Sequence, residues 1–314
     1  MTLYLSKRNN PSSFRALTGL SLEQFDYLLP LWTTQWIETM EYQTVTGKYR
    51  WNRRHSSYKN SRLPTPADKL FFIMMFIKQA PTQEMHGTVF GMAQPTVNTW
   101  IHVLLPILYA TCAHNTFLPA RTPDEFRMYL SALPHDADSL PESLFFYHDA
   151  VERPIERPID ADEQRFLYSG KRKRHTVKNT AITNASNRVV YLSPTHQGST
   201  HDKRVADEEQ YTIGMPFPEH SRVYEDRGFI GLLWNQITIE RPHKKLPNQQ
   251  LTREQKDENR LHAQKRVVIE HVFGRIKRFR IVKDVLRLKV HMVDDMIMQI
   301  CCGIHNCVIH MKSV

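Results

Sequence analysis

Hydrophobic residues follow two periods along the chain, and the period changes near residue 144. From Ser21 onward, Leu22, Phe25, Leu28, Leu29, Trp32 and Trp36 recur at helical spacing. Ser21 stands as the N-cap, with Gln24 at the capping-box position. Thr65 caps a second apolar stretch that carries Leu70, Phe71, Ile73, Met74, Phe76 and Ile77. Pro81-Thr82 opens a short helix closing near Phe90-Gly91, and Gln94-Pro95 opens a longer one through Val97, Ile101, Leu104 and Leu105. A short helix, a glycine turn and a second helix make the helix-turn-helix pattern, over about residues 65–110. A plain helical bundle is written the same way. In the first case Gln94, Thr96, Asn98 and Thr99 lie at the N-terminus of the reading helix, where base contacts are made.

Beyond residue 144 the spacing is that of strands. Leu144-Phe145-Phe146-Tyr147 is a continuous apolar run, expected of a strand buried on both faces, and it leads into Asp149. Thr176 to Thr183 alternates, Asn184-Ala185-Ser186-Asn187 supplies a turn, and Val189 to Leu192 completes a hairpin. Asp202 starts a polar helix through Val205 and Ala206. Arg222-Val223-Tyr224 makes a fourth strand ahead of Glu225, Asp226 and Gly228, and a helix is expected from Ala263 to Phe279 after a loop containing Pro242 and Pro247. This order predicts an α/β RNase H-like domain, a mixed sheet flanked by helices, over 140–314. An all-α region containing the helix-turn-helix precedes it over 1–125.

Composition fits a globular chain: 314 residues, 41% hydrophobic and 24% charged, enough for two domains. The longest apolar run, Leu70 to Ile77, is less than half of the roughly 18–20 residues that span a bilayer. Met1 to Asn10 lacks the apolar stretch of a signal peptide. Four cysteines, Cys112, Cys301, Cys302 and Cys307, are too few and too clustered for a disulfide framework. The expectation is a cytoplasmic protein without a membrane partner. Net charge is +10, which points to a polyanion such as nucleic acid or to a basic solvated surface. Its distribution narrows this: residues 1–148 carry +2, residues 149–240 carry −1 and residues 241–314 carry +9. Between Tyr42 and Pro66, Lys48, Tyr49, Arg50, Trp51, Arg53, Arg54, Tyr58, Lys59 and Arg62 interleave bases with aromatics. That mixture suits phosphate tracking with base stacking, and equally an ordinary basic linker.

Three carboxylates stand out against this charge. Asp149 and Asp226 each close an apolar strand, where a side chain is exposed on a rigid support. Glu270 lies within the most basic part of the chain. Helical spacing puts it on one face with Arg266, Gly274 and Lys277, while Val268, Val272, Ile276 and Phe279 form another. Taken singly, the aspartates read as caps or turn acids and Glu270 as half of an ion pair with Arg266. Taken together, at these elements, they suit two Mg²⁺ ions, with Mn²⁺ as substitute, of the kind that drives phosphodiester transfer. Asp202 competes for the place of second aspartate. Because it precedes the helix before the fourth strand, it is read as an N-cap, with a supporting role for it and His201 left open. Cys301, Cys302, His305 and Cys307 share no standard zinc spacing and lie among Met292, Met296, Ile297, Ile300 and Ile304, which favours core packing.

Several stretches resemble the DDE transposases of bacterial insertion sequences, in particular the IS5 family and its Harbinger-like relatives. They are His148-Asp149-Ala150-Val151-Glu152-Arg153-Pro154, Tyr168-Ser169-Gly170-Lys171-Arg172-Lys173-Arg174-His175, Gly198-Ser199-Thr200-His201-Asp202 and Glu225-Asp226-Arg227-Gly228-Phe229. The series ends with Arg266, Glu270 and Lys277 at the family's spacing. Two departures are Asp149-Ala150-Val151 where Asp-Gly-Thr is usual and Ala263 where tyrosine is usual. The resemblance implies a transposase that binds terminal inverted repeats on double-stranded DNA, nicks at the element ends and joins them to target DNA. It implies Asp149, Asp226 and Glu270 as metal ligands, with Arg266, Lys277, Arg275, Lys171 and Arg172 on DNA. It also implies a homodimer or higher oligomer on nucleoid DNA. A domesticated DNA-binding protein and a nuclease that does not join are the alternatives.

Overall fold

Capping chemistry fixes where the first helices begin. Thr2, Asn10 and Ser21 each accept a backbone N–H at the start of α1 (Leu3–Arg8), α2 (Pro11–Thr18) and α3 (Leu22–Tyr42). Ser21 and Gln24 form the reciprocal capping box, and Thr65 with Asp68 forms a second one ahead of α4 (Pro66–Gln79). Pro66 takes the first helical position of α4, where its missing N–H leaves no bond unmade. The short α5 (Gln83–Phe90) and the long α6 (Gln94–His114) follow. This computed structural model describes residues 2–44, 48–50, 61–131, 144–213, 217–218, 220–229, 237–245, 250–288 and 293–313. Within the basic and aromatic stretch from Tyr42 to Pro66, Trp51, Arg53, Arg54, Tyr58 and Lys59 lie outside the described residues.

The chain divides into two compact units. The first joins Met1–Leu118 to Ile276–Val314, and the second is Pro119–Arg275. The sequence division had placed the last helices with the sheet. Instead, α11 (Arg280–Lys283) packs on α4, and α12 (Val293–Met311) packs on α6 and α3. The first unit is therefore built from both ends of the chain. Its core gathers Phe14, Phe25, Trp32 and the whole of α4 from Leu70 to Ile77. Cys301, Cys302, His305 and Cys307 are all buried on α12, and Gly303 between them lets Cys112 of α6 approach. By length and composition α6 is apolar enough to cross a membrane, yet Val97, Ile101, Leu104, Leu105, Ile107 and Leu108 are spent on this core.

The second unit starts with α7 (Pro123–Ser131), then β1 (Phe145–Pro154), α8 (Ala161–Leu167) and β2 (Tyr168–Ser169). Next come β3 (Arg174–Asn184), β4 (Val189–Leu192), β5 (His196–Gln197), α9 (Asp202–Ile213), β6 (Arg222–Tyr224), β7 (Thr238–Glu240) and α10 (Arg253–Lys277). β1 pairs antiparallel with β3, β3 antiparallel with β4, β1 parallel with β6, and β6 parallel with β7. An antiparallel meander extended by two parallel strands is the RNase H-like arrangement expected from the element order. One face carries Phe146, Ile182 and Val223 against Phe126 and Leu130 of α7. The other carries Tyr147 and Tyr224, with rings stacked at 5.4 Å and Lys265 of α10 above the Tyr224 ring.

Candidate active site

Asp149 does not end its strand. β1 runs five residues further to Pro154, because β3 is long enough to pair with it throughout. What ends near Asp149 is the parallel pairing with β6, whose last matched pair is Tyr147 and Tyr224. One residue further lie His148 and Glu225, and one more lie Asp149 and Asp226. By strand alternation the two aspartates share the face that carries Tyr147 and Tyr224.

The side chains bear out this proximity. The Asp149 carboxyl is pushed above its ordinary range, first by burial and further by the neighbouring charge of Asp226, against the pull of Arg266. Asp149 Oδ2 receives Arg266 Nη2 at 3.2 Å, and its Oδ1 receives the N–H of Ala150 at 2.8 Å. Asp226 Oδ1 accepts the N–H of Gly228 at 2.6 Å, closing the turn into the short 3-10 segment Arg227–Phe229. Gly228 has a steric role in that turn. A Cβ there would stand 2.8 Å from Asp226 Oδ1 and 3.2 Å from Asp202 Oδ2. Asp202 thus borders the site, and it is not the cap of its helix. It is the first residue of α9, and its Oδ1 takes Lys178 Nζ at 2.8 Å. His201 is exposed, its carbonyl accepting the N–H of Val205.

Glu270 stands one turn after Arg266 on α10 and is exposed. Among the described residues no three acids, histidines or cysteines lie close enough to hold a metal. The structure therefore brings Asp149 and Asp226 together and leaves Glu270 outside the pair. Arg275 is exposed on the same helix, and Lys277 closes it in the other unit. Lys171 and Arg172 are exposed in the turn between β2 and β3, with Arg172 Nε 3.5 Å from Glu152.

In the first unit, α5 and α6 pack closely at Gly87, where a Cβ would lie 2.4 Å from the carbonyl oxygen of Met92 and 3.3 Å from Val97. Thr96 is exposed at the start of α6. Gln94 and Asn98 are tied to Gln83 of α5, and the Thr99 hydroxyl returns to the carbonyl of Pro95 at 3.0 Å. Three of the four base-reading candidates thus each spend one hydrogen-bonding group within the protein.

Residues 148–306 match the family described as DDE superfamily endonuclease, and residues 61–112 match the helix-turn-helix of DDE superfamily endonuclease. The chain belongs to the DDE superfamily of endonucleases. It is 31% identical over 165 residues to a protein of Microchaete diplosiphon named "Probable transposase for insertion sequence element IS702", a match covering 52% of this chain. The chain spans 57% of the length of that relative. No solved structure matches it.

The donor set of this DDE-superfamily chain is of a kind that suits a divalent metal. Asp149, within β1, and Asp226, two residues past the end of β6, are hard oxygen donors, and the charge of Asp226 acts on Asp149. Sequence reasoning missed the groups behind them. Glu225 and His148 are fully buried, and charged residue types in a strand-end motif read as surface. The one available signal was their position, immediately before each aspartate.

Proposed function

We propose that the chain is a DNA transposase of an insertion sequence. It binds terminal inverted repeats through its helix-turn-helix, cuts DNA strands at the element ends and transfers the freed 3′-OH to target DNA. The observation that carries this reading is the convergence of Asp149 and Asp226 at the end of the β1/β6 ladder in a DDE-superfamily chain. Asp149, Asp226 and Glu270 would hold two Mg²⁺ ions, with Mn²⁺ as substitute. When bound, such ions activate an attacking oxygen and stabilise a leaving one.

The chain's own residues supply the rest. The Gly228 N–H orients one oxygen of Asp226, so its carboxylate is held in a set direction. Arg266 pairs with Asp149 and would meet a scissile phosphate brought to that carboxylate. Arg275, Lys277, Lys171 and Arg172 contact the backbone and set register without reading sequence. In cleavage, water oxygen bonds to phosphorus, the 3′ oxygen departs, and a proton from the water ends on it. In joining, that 3′-OH attacks a target phosphodiester and releases the target's own 3′ oxygen. One phosphodiester is exchanged for another, so joining needs no external energy source. The protein works on nucleoid DNA in the cytoplasm, and bringing two ends together calls for a homodimer or larger assembly.

The test is to incubate the protein with labelled element ends and a target plasmid, with and without Mg²⁺. Joined products in Mg²⁺ alone, abolished by Asp149→Asn, are expected. Cleavage without joining would make the protein a nuclease, and binding without cleavage a domesticated DNA-binding protein.

A further inference from the structure

The residues that precede the two aspartates form a polar row across three parallel strands. The last matched residues are Tyr147 on β1, Tyr224 on β6 and Glu240 on β7. Next along each chain stand His148, Glu225 and Arg241. Glu225 occupies the centre and uses both carboxylate oxygens. Its Oε1 lies 3.1 Å from His148 Nδ1, and its Oε2 accepts from Arg241 Nε at 2.9 Å and Nη2 at 2.7 Å. The side chains of His148 and Glu225 are 0% exposed and that of Arg241 is 19% exposed. The Phe229 ring covers His148 at 4.3 Å.

A buried carboxylate is costly unless fully paired, and well-packed apolar residues usually serve stability as well or better. Stability alone therefore leaves this row unexplained. Its location supplies a reason. The backbone pairing between β1 and β6 stops at Tyr147 and Tyr224, whereas the aspartates lie two residues further on. Between β1 and β6 beyond that point, the bond from His148 to Glu225 continues the link. Arg241 extends it to β7, where Glu225 N–H also donates to the Glu240 carbonyl at 3.0 Å. Strand alternation turns each row residue away from the site and its neighbouring aspartate into it.

We propose that His148, Glu225 and Arg241 are positioning residues that hold Asp149 and Asp226 at metal-binding separation, replacing the ladder that has ended. The inference rests on the reading of those aspartates as a metal-holding pair. It differs from a packing role, because loosening the row would spread the carboxylates while leaving the fold and DNA affinity in place.

The test titrates full-length wild type, Glu225→Gln and Arg241→Lys with MnCl₂, following free Mn²⁺ by electron paramagnetic resonance. Thermal unfolding and element-end binding in EDTA are measured in parallel. Weakening of an outer partner of a metal ligand usually costs about 10–100-fold in metal affinity, and that loss is expected in both variants with DNA affinity unchanged. Arg241 lies at the rim of the row, so Arg241→Lys decides the matter if Glu225→Gln does not fold. A folded variant whose Mn²⁺ affinity stays within about twofold of wild type, well short of that loss, would overturn the row. Absence of Mn²⁺ binding in the wild type would instead overturn the metal reading of the aspartates, and the row with it.

Discussion

Gly228 shows how one missing side chain shapes the candidate site. The carboxylates of Asp226 and Asp202 both close on the space its Cβ would fill, so Gly228→Ala must push one of them aside. Misplacing a reacting group by about 1 Å costs on the order of 100-fold in rate. We expect Gly228→Ala to lower Mg²⁺-dependent DNA cleavage by about 10–100-fold with DNA affinity intact, as measured by cleavage kinetics beside a gel-shift titration. Two buried bases of the helical unit set its response to pH. His86 sits among the rings of Phe72, Phe76 and Phe90, and burial lowers it from 6.5 to about 4. Between those values the unfolded chain takes up a proton that the folded one refuses, so stability falls as pH drops through the window. Lys69 donates to the Leu63 carbonyl at 2.6 Å beneath Trp36, and burial lowers it from 10.5 to about 8. Here the unfolded chain holds the proton longer, so stability rises from about pH 8 to 10.5. Each window is worth about 3 kcal/mol. Thermal melts of full-length His86→Phe and Lys69→Met are expected to lose the acid and alkaline slopes respectively.

Among the elements, the helix-turn-helix depends on the close approach at Gly87. A methyl there meets the Met92 backbone, and overpacking of this kind costs about 1–3 kcal/mol. Gly87→Ala is expected to narrow the ratio of element-end to random-DNA affinity, measured by competition binding, because it tilts α6 more than it alters charge. The helices here were legible because their caps were: Ser21 with Gln24, Thr65 and Pro81-Thr82 mark starts that the structure keeps. The start of β1 and the whole of β4 were legible from unbroken apolar runs. The first half of α10 was not, since Arg253 to Arg260 is polar and largely exposed and has no apolar period. Its start was written instead in Thr252 and Gln255, which exchange the two bonds of a capping box. The three-residue β7 is too short to show alternation. Asp149 was readable as a candidate, but its place within a strand was not, because pairing with β3 is a tertiary fact. The row behind it stayed hidden for the same reason: a glutamate between Tyr224 and Asp226 reads as surface until three strands bury it between His148 and Arg241.

For the whole molecule, charge is the property that DNA would meet first. The +9 of residues 241–314 is shared equally by the stretch before α10, α10 itself and the segments after it, and Arg275 is among its exposed members. Removing one charge that neutralises a phosphate lowers the slope of log affinity against log salt by about 0.9. Arg275→Ala is expected to show that reduction on element ends and random DNA alike, in binding isotherms over a range of NaCl concentrations. A larger drop in affinity on element ends would mean that Arg275 reads sequence.

The helical unit, made from both ends of the chain, also sets an order of events during synthesis. Asn306 donates to the Phe117 carbonyl across 189 residues, and Tyr109 donates to Gln299 across 190. The face of α6 that awaits α12 therefore stays uncovered while the whole sheet unit is translated, at about 5–20 residues per second. The sheet unit, by contrast, has its sequence complete once Arg275 has emerged. A ribosome that stops before Val293 would release a chain with its acid pair and basic helix but without the last wall of its helical unit. Premature termination would thus cost the helical unit before the sheet unit, and the last helix is the step that closes the fold.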